Sequence, residues 1–312
     1  MTKPYKLALP DLVSNSYFPA IAAVELGLFR KHGLDVELEM VYPAPACYDA
    51  LRDGQVDLVA GSAHLPLLAF PGWQGSSLIC SLSQGMYWFL VLRDGVAQKV
   101  LPGLGHDRSN LEALGGLRIV AAPGVDLGFQ QLLVAAGVDA SAEDIQVIRL
   151  PGGVAKGVSF GVAAARAMIA GDIDGFWANG MAAAVAVDSG AGTIALDVRR
   201  GDGPAAGFGF TQPTLAARDD WINADLARAA AAKAAIDQAH SRLAKTPADV
   251  SQVGQSWFPE QEARLISGLV QRDLPYYSTS LSESFVESMQ AFAIELGLTE
   301  QACAYADVVH MP

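Results

Sequence analysis

Apolar and polar positions fall into blocks along the first hundred residues, and the blocks switch between a period of two and a period near 3.6. Tyr5 to Leu9 reads as a strand, Tyr17 to His32 as a helix, and Asp35 to Val41 as a second strand. A helix through Ala46 to Asp53 and a short apolar strand, Val56 to Ala60, follow. Gly33 and Gly54 stand where helix C-caps belong. The order strand-helix-strand-helix-strand predicts a parallel sheet covered by helices.

The same order returns from Leu117. Leu117 to Ala121 is a strand, Asp126 to Ala136 a helix closed by Gly137, and Ile145 to Leu150 the next strand. A helix ending near Ala170, capped by Gly171, leads into the strand Ile173 to Trp177. The two copies share a written signature: Ala50-Leu51-Arg52-Asp53-Gly54-Gln55-Val56-Asp57 matches Ala167-Met168-Ile169-Ala170-Gly171-Asp172-Ile173-Asp174 at its Ala, Gly, apolar and Asp positions. Two open, mainly parallel sheets imply two lobes.

Met86 to Arg93 and the Gly-rich stretch from Gly201 to Phe210 are the natural crossings between lobes. Lobe one is therefore expected over 1–88 and 206–312, and lobe two over 89–205. From Asp219 onward helices dominate: Asp219 to Leu243, Pro259 to Gln271 and Ser280 to Gly297, placed to buttress a lobe. Ser109-Asn110-Leu111-Glu112 has capping-box spacing.

Composition narrows the functional classes. A chain of 312 residues, 51% hydrophobic and 17% charged, suits two packed domains. A net charge of −12 with no Lys/Arg run argues against nucleic acid and anionic membrane surfaces as partners. Cys47, Cys80 and Cys303 share no metal-ligand spacing, and their odd number does not suggest a disulfide framework. No P-loop, dinucleotide fingerprint or zinc-type His/Glu pair occurs, so neither a cofactor nor a metal is expected. The opening Met1-Thr2-Lys3-Pro4-Tyr5 runs straight into a strand without the apolar stretch of a signal peptide, and no apolar run reaches the roughly 20 residues that cross a bilayer.

With these elements in place the chain resembles the extracytoplasmic solute-binding proteins of nitrate, sulfonate, taurine and thiamine-precursor ABC transporters. The marks are Ala22-Ala23-Val24-Glu25-Leu26-Gly27-Leu28-Phe29, His32-Gly33-Leu34-Asp35-Val36 and Gly54-Gln55-Val56-Asp57-Leu58 in the first copy. Leu114-Gly115-Gly116-Leu117-Arg118-Ile119-Val120 and Gly171-Asp172-Ile173-Asp174-Gly175 complete them in the second. The resemblance implies a type II periplasmic-binding-protein fold that closes on a small organic ligand through two hinge crossovers. It also implies a periplasmic location, a monomer and an ABC permease as partner.

In open parallel sheets a ligand lies beyond the carboxyl ends of the strands, where loops enter the following helices. That rule selects Ser14, Asn15, Ser16 and Tyr17 after the first strand, and Ser62 and His64 after the third. In the second copy it selects Gly124 and Asp126, then Trp177 and Asn179. Helix N-termini at these loops predict backbone N–H donors for a carboxylate, sulfonate or phosphonate. Each of these polar residues could equally be a helix cap, and Asp126 reads more readily as one. Tyr17, Tyr87 and Trp177 are the aromatic candidates for contact with the ligand body; alternation puts Tyr87 and Phe89 on one face and Trp88 on the other.

The alternative reading is a cytosolic enzyme on the same fold, because the resembling family includes a desulfinase and a pyrimidine synthase. Ser14-Asn15-Ser16-Tyr17 holds no cysteine where the desulfinase nucleophile is expected, and the pyrimidine synthase's cysteine cluster is missing. Were the chain an enzyme, Cys47 at a helix start or His64 would be the first nucleophile or base. Gly157-Val158-Ser159-Phe160-Gly161 matches a nucleophile elbow, but it stands too far from the preceding strand.

Overall fold

The computed structural model describes residues 3–155 and 158–310. Its strands are β1 (Tyr5–Leu9), β2 (Val36–Met40), β3 (Leu58–Ser62), β4 (Ser76–Ser81), β5 (Trp88–Arg93), β6 (Arg118–Ala121), β7 (Gln146–Ile148), β8 (Gly175–Asn179), β9 (Gly192–Asp197) and β10 (Pro213–Arg218). They form two five-stranded sheets, in the orders β2-β1-β3-β10-β4 and β7-β6-β8-β5-β9. In the first, β1 pairs in parallel with β2 and β3, while β10 runs antiparallel to β3 and β4. In the second, β6 pairs in parallel with β7 and β8, while β5 runs antiparallel to β8 and β9. The two sheets thus share one topology, each with a single reversed strand taken from the other end of the chain's path. The repeat legible in the sequence is a repeat of structure.

The chain divides into two compact units, one holding the residues up to Gly85 and from Gly209 onward, the other Met86–Phe208. The junctions read from sequence stood at 88/89 and 205/206.

The repeated signature has a local cause. After the Ala44–Arg52 helix, Gly54 takes φ 69°, and the N–H groups of Gly54 and Gln55 return to the carbonyls of Leu51 and Ala50. After the Phe160–Ala170 helix, Gly171 takes φ 88°, and Gly171 and Asp172 return to Met168 and Ala167 in the same way. Both are Schellman closures, which need a left-handed residue that glycine adopts without steric cost.

Several elements depart from the sequence reading. The helix expected over Tyr17 to His32 breaks at Gly27 into Phe18–Glu25 and Leu28–Lys31. The one expected from Asp219 to Leu243 breaks into Asp219–Asn223 and Ala227–Lys245. A further helix, Pro247–Trp257, carries Gly254 in its interior, where a methyl group would come within 2.7 Å of Ile266. That close packing against the Glu260–Asp273 helix explains a residue that weakens the helical signal. The capping box at Ser109 does not form: Ser109 Oγ donates to Asp107, and Leu111–Leu114 is a short 3-10 turn.

In unit 1 the C-terminal helices cover the first sheet. Ala229, Ala232, Ala235, Ile236, Ala239 and Leu243 recur at helical spacing, and these mostly small side chains let Ala227–Lys245 lie close to Phe18–Glu25. Tyr48, Leu51, Val59, Trp73, Phe285 and Met289 belong to one buried cluster in this unit. In unit 2 the core centres on Trp88, Phe129 and Trp177. Among the described residues, no helix is long and apolar enough to cross a membrane.

Candidate functional site

At the carboxyl edge of the first sheet, the loop after β1 is fixed by its own short polar side chains. Asp11 Oδ1 accepts from Val13 N at 2.8 Å, and Ser14 Oγ accepts from Ser16 N at 3.2 Å. Asn15 Nδ2 donates to Asp273 Oδ2 at 2.7 Å, tying the loop to the end of the Glu260–Asp273 helix. The Ser16 side chain stands apart. Its residue is 2% exposed, and its hydroxyl meets no hydrogen-bond partner among the described residues.

β10 brings a second such group to this edge, since Pro213 is in register with Ser62 at the end of β3. Just before it, Thr211 Oγ1 lies 3.0 Å from His64 Nδ1, and the Gln212 carbonyl accepts from Ala63 N at 3.0 Å. Gln212 Oε1 accepts from Gly85 N at 3.3 Å, which fixes the amide orientation because a backbone N–H can only donate. Gln212 Nε2 is then a buried donor without a partner among the described residues. A buried polar group left unpaired costs about 1–3 kcal/mol, and this sheet edge carries two, one after β1 and one before β10, with β3 between those strands.

The helix entrance supplies less than the sequence suggested. Phe18 N donates to the Asn15 carbonyl, Ala20 N to that of Tyr17, and Pro19 has no N–H. Backbone donors expected for an anion at this helix entrance are already bonded to the Asn15 and Tyr17 carbonyls. Ser62 is buried at the strand end, its carbonyl accepting from Tyr48 Oη at 3.0 Å. Gly61 must be glycine for this contact, because a Cβ would lie 2.5 Å from that hydroxyl. His64 is fully buried, its ring edge-on to Phe292 at 5.1 Å. Tyr17 is buried, and its carbonyl closes the first helical turn.

In unit 2 the candidates fall into two groups. Gly124, Asp126 and Asn179 serve local structure: Gly124 N donates to Asp126 Oδ1 at 2.8 Å in the loop before the Asp126–Ala135 helix, and Asn179 Oδ1 caps its own helix by accepting from Ala182 N at 3.1 Å. Asp126 also pairs with Arg149 at 3.3 Å. Asp126 is thereby tied into the loop that precedes its helix. Trp177 and Tyr87 form the second group, which is core. Trp177 is fully buried, donates from Nε1 to the Val125 carbonyl at 3.2 Å, and packs on Phe129 and Trp88. Tyr87 lies against the adjacent Trp88 ring at 4.9 Å, and it precedes β5, so strand alternation does not govern it.

The groups named for the enzyme reading are poorly placed for it. Cys47 is fully buried and its thiol donates to the Val41 carbonyl; burial pushes that thiol far above its usual pKa, as it does Cys80. Ser159 caps the Phe160–Ala170 helix through Val162 N, and Gly157 of the elbow-like motif lies outside the described residues. No cluster of three or more His, Cys, Asp or Glu able to hold a metal occurs among the described residues.

Two sheets of identical order, each with its reversed strand and its helix-entering loops at the carboxyl edge, define the α/β architecture of the periplasmic binding proteins. The chain belongs to the NMT1-like family, whose model matches residues 12–247. By structure it is similar to the alkanesulfonate-binding protein SsuA of Xanthomonas axonopodis pv. citri bound to MOPS, at TM-score 0.70 and 14% identity over 99% of this chain and 97% of that one. It is also similar to the periplasmic nitrate-binding protein NrtA of Synechocystis PCC 6803, at TM-score 0.68 and 16% identity over 97% and 83%. The desulfurization enzyme DSZB shares the fold too, at TM-score 0.64 and 13% identity over 98% and 96%. No curated protein matches the chain at a significant level.

Proposed function

We propose that this chain is the substrate-binding component of an ABC importer and captures a small organic anion, a sulfonate, carboxylate or heteroaromatic acid, for delivery to a membrane permease. The observation that carries the reading is the pair of buried, partnerless groups at one sheet edge, Ser16 Oγ and Gln212 Nε2. Both are neutral donors. The Gln212 amide nitrogen can only donate and the Ser16 hydroxyl can donate beside it, a set that suits the oxygens of a weakly basic anion. Sulfonate- and nitrate-binding proteins among the structural neighbours support the same ligand chemistry. In this reading the protein acts as a monomer outside the cytoplasm. The buried Cys47 thiol lends no support to a cysteine-nucleophile enzyme.

Calorimetric titration with MOPS, taurine and benzoate tests it. Ser16→Ala and Gln212→Ala are each expected to weaken the preferred anion by about tenfold, the loss of one buried hydrogen bond. Anions that do not bind, or bind equally well to both variants, would overturn the reading.

A further inference from the structure

β10 crosses unit 1 from Pro213, opposite Ser62, to Arg218, opposite Ser76. The loops described above stand at its first end. At its second end lies a surface cavity of about 650 Å³, lined by Trp73, Ser77, Asp219, Asn223, Asp307 and His310 among others. None of these residues takes part in the proposed anion site.

Trp73 is held at φ 63°, between Gly72 at 61° and Gly75 at 99°. A bulky residue in the left-handed region is a genuine outlier, and such strain persists where surrounding structure imposes it, often at ligand sites. The Trp73 ring is 2% exposed, yet its Nε1 meets no hydrogen-bond partner among the described residues; His310 Nε2, also buried, meets none either. An indole N–H only donates, so it calls for an acceptor. Two carboxylates line the same cavity. Asp219 Oδ1 accepts from Ser77 Oγ at 2.6 Å, and Asp307 is exposed at the cavity wall.

We infer that this cavity binds a second small molecule, one that carries an ammonium group for the carboxylates and an oxygen acceptor for the ring nitrogens, as amino alcohols do. The ligand chemistry is opposite in charge to that of the anion site, and the two sites occupy opposite edges of one sheet.

The chain has five tryptophans, so protein labelled with 15N at its indoles gives five side-chain N–H signals, and Trp73→Phe identifies the one from Trp73. Ethanolamine is expected to move the Trp73 signal saturably and leave those of Trp88 and Trp177 in place. Ethylammonium, which lacks the oxygen, should bind about tenfold more weakly. Asp219→Asn and Asp307→Asn should each weaken ethanolamine several-fold; Asp307 is exposed, so its variant tests the site without risk to the fold. An unmoved Trp73 signal, equal binding of ethylammonium, or indifference to both variants would overturn the inference. Loss of anion binding at Ser16 and Gln212 would leave it standing.

Discussion

Asp57 and Asp174 hold the same post in different sheets. Asp57 Oδ2 accepts from the backbone N–H of Lys6 on β1 at 2.8 Å, and Asp174 Oδ2 accepts from that of Arg118 on β6 at 3.0 Å. Each carboxylate closes the head of the neighbouring strand just before its own strand begins. The shared signature is therefore maintained by one physical task done twice: a glycine ends the helix, and an aspartate sets the register of the strand beside it.

Replacement of either aspartate removes a charge-assisted hydrogen bond to a strand N–H. Asp57→Ala and Asp174→Ala should each cost about 1–3 kcal/mol in urea unfolding. The sites lie in different units, so the double variant should lose close to the sum. Loss from only one of the two would break the equivalence.

The helix-closing glycines predict opposite signs for one substitution. Gly54→Ala and Gly171→Ala force a Cβ into the left-handed region, at φ 69° and 88°. Each should destabilise by about 1–2 kcal/mol. Gly268 sits inside the Glu260–Asp273 helix, where an added Cβ meets nothing within 4 Å. Gly268→Ala should stabilise by about 0.5–1 kcal/mol. Thermal melts of the three variants check the contrast.

His240 makes stability fall in acid. Its Nε2 lies 2.8 Å from the Leu82 carbonyl, and its ring stacks on Tyr277 at 4.9 Å. Burial depresses its pKa from 6.5 to about 4, against the opposing pull of the Leu82 carbonyl and Asp237. The folded state then binds fewer protons than the unfolded chain between these values, so stability is full above the unfolded value and declines as pH falls toward the folded one. The loss, complete only below the folded value, is on the order of 3 kcal/mol. Asp237, also depressed, contributes only at lower pH, below its ordinary 3.8. His240→Gln keeps a donor for Leu82 and should flatten the decline in urea midpoint between about pH 7 and pH 5. An unchanged slope would place the titration elsewhere.

The elements legible in the sequence are those specified locally. β1, β2 and β3 and their counterparts β6, β7 and β8 follow from short apolar runs set between glycine-closed helices. β4, β9 and β10 were not legible, because their partners are remote: β10 is placed by pairing with β3, some 150 residues earlier. Gln212 was missed for that reason, as only the unread strand brings it beside Ser62. Its one local sign is a Thr211-Gln212 pair ahead of the apolar run from Pro213 to Ala217. Trp177 and Tyr87 show the opposite limit. An aromatic at a strand end is chemically fit for core or ligand, and packing on Trp88 and Phe129 assigns these two to the core. Likewise, no pattern of residue types reveals that Asn15 and Tyr17 carbonyls consume the donors of the helix they precede.

Native mass spectrometry of freshly purified protein tests the central claim most directly. The account predicts one organic anion per chain, released on unfolding with its mass unchanged after prolonged incubation, and lost from the Ser16→Ala/Gln212→Ala double variant. A bound species that is cationic, that is converted to a product, or that persists in the double variant would contradict it.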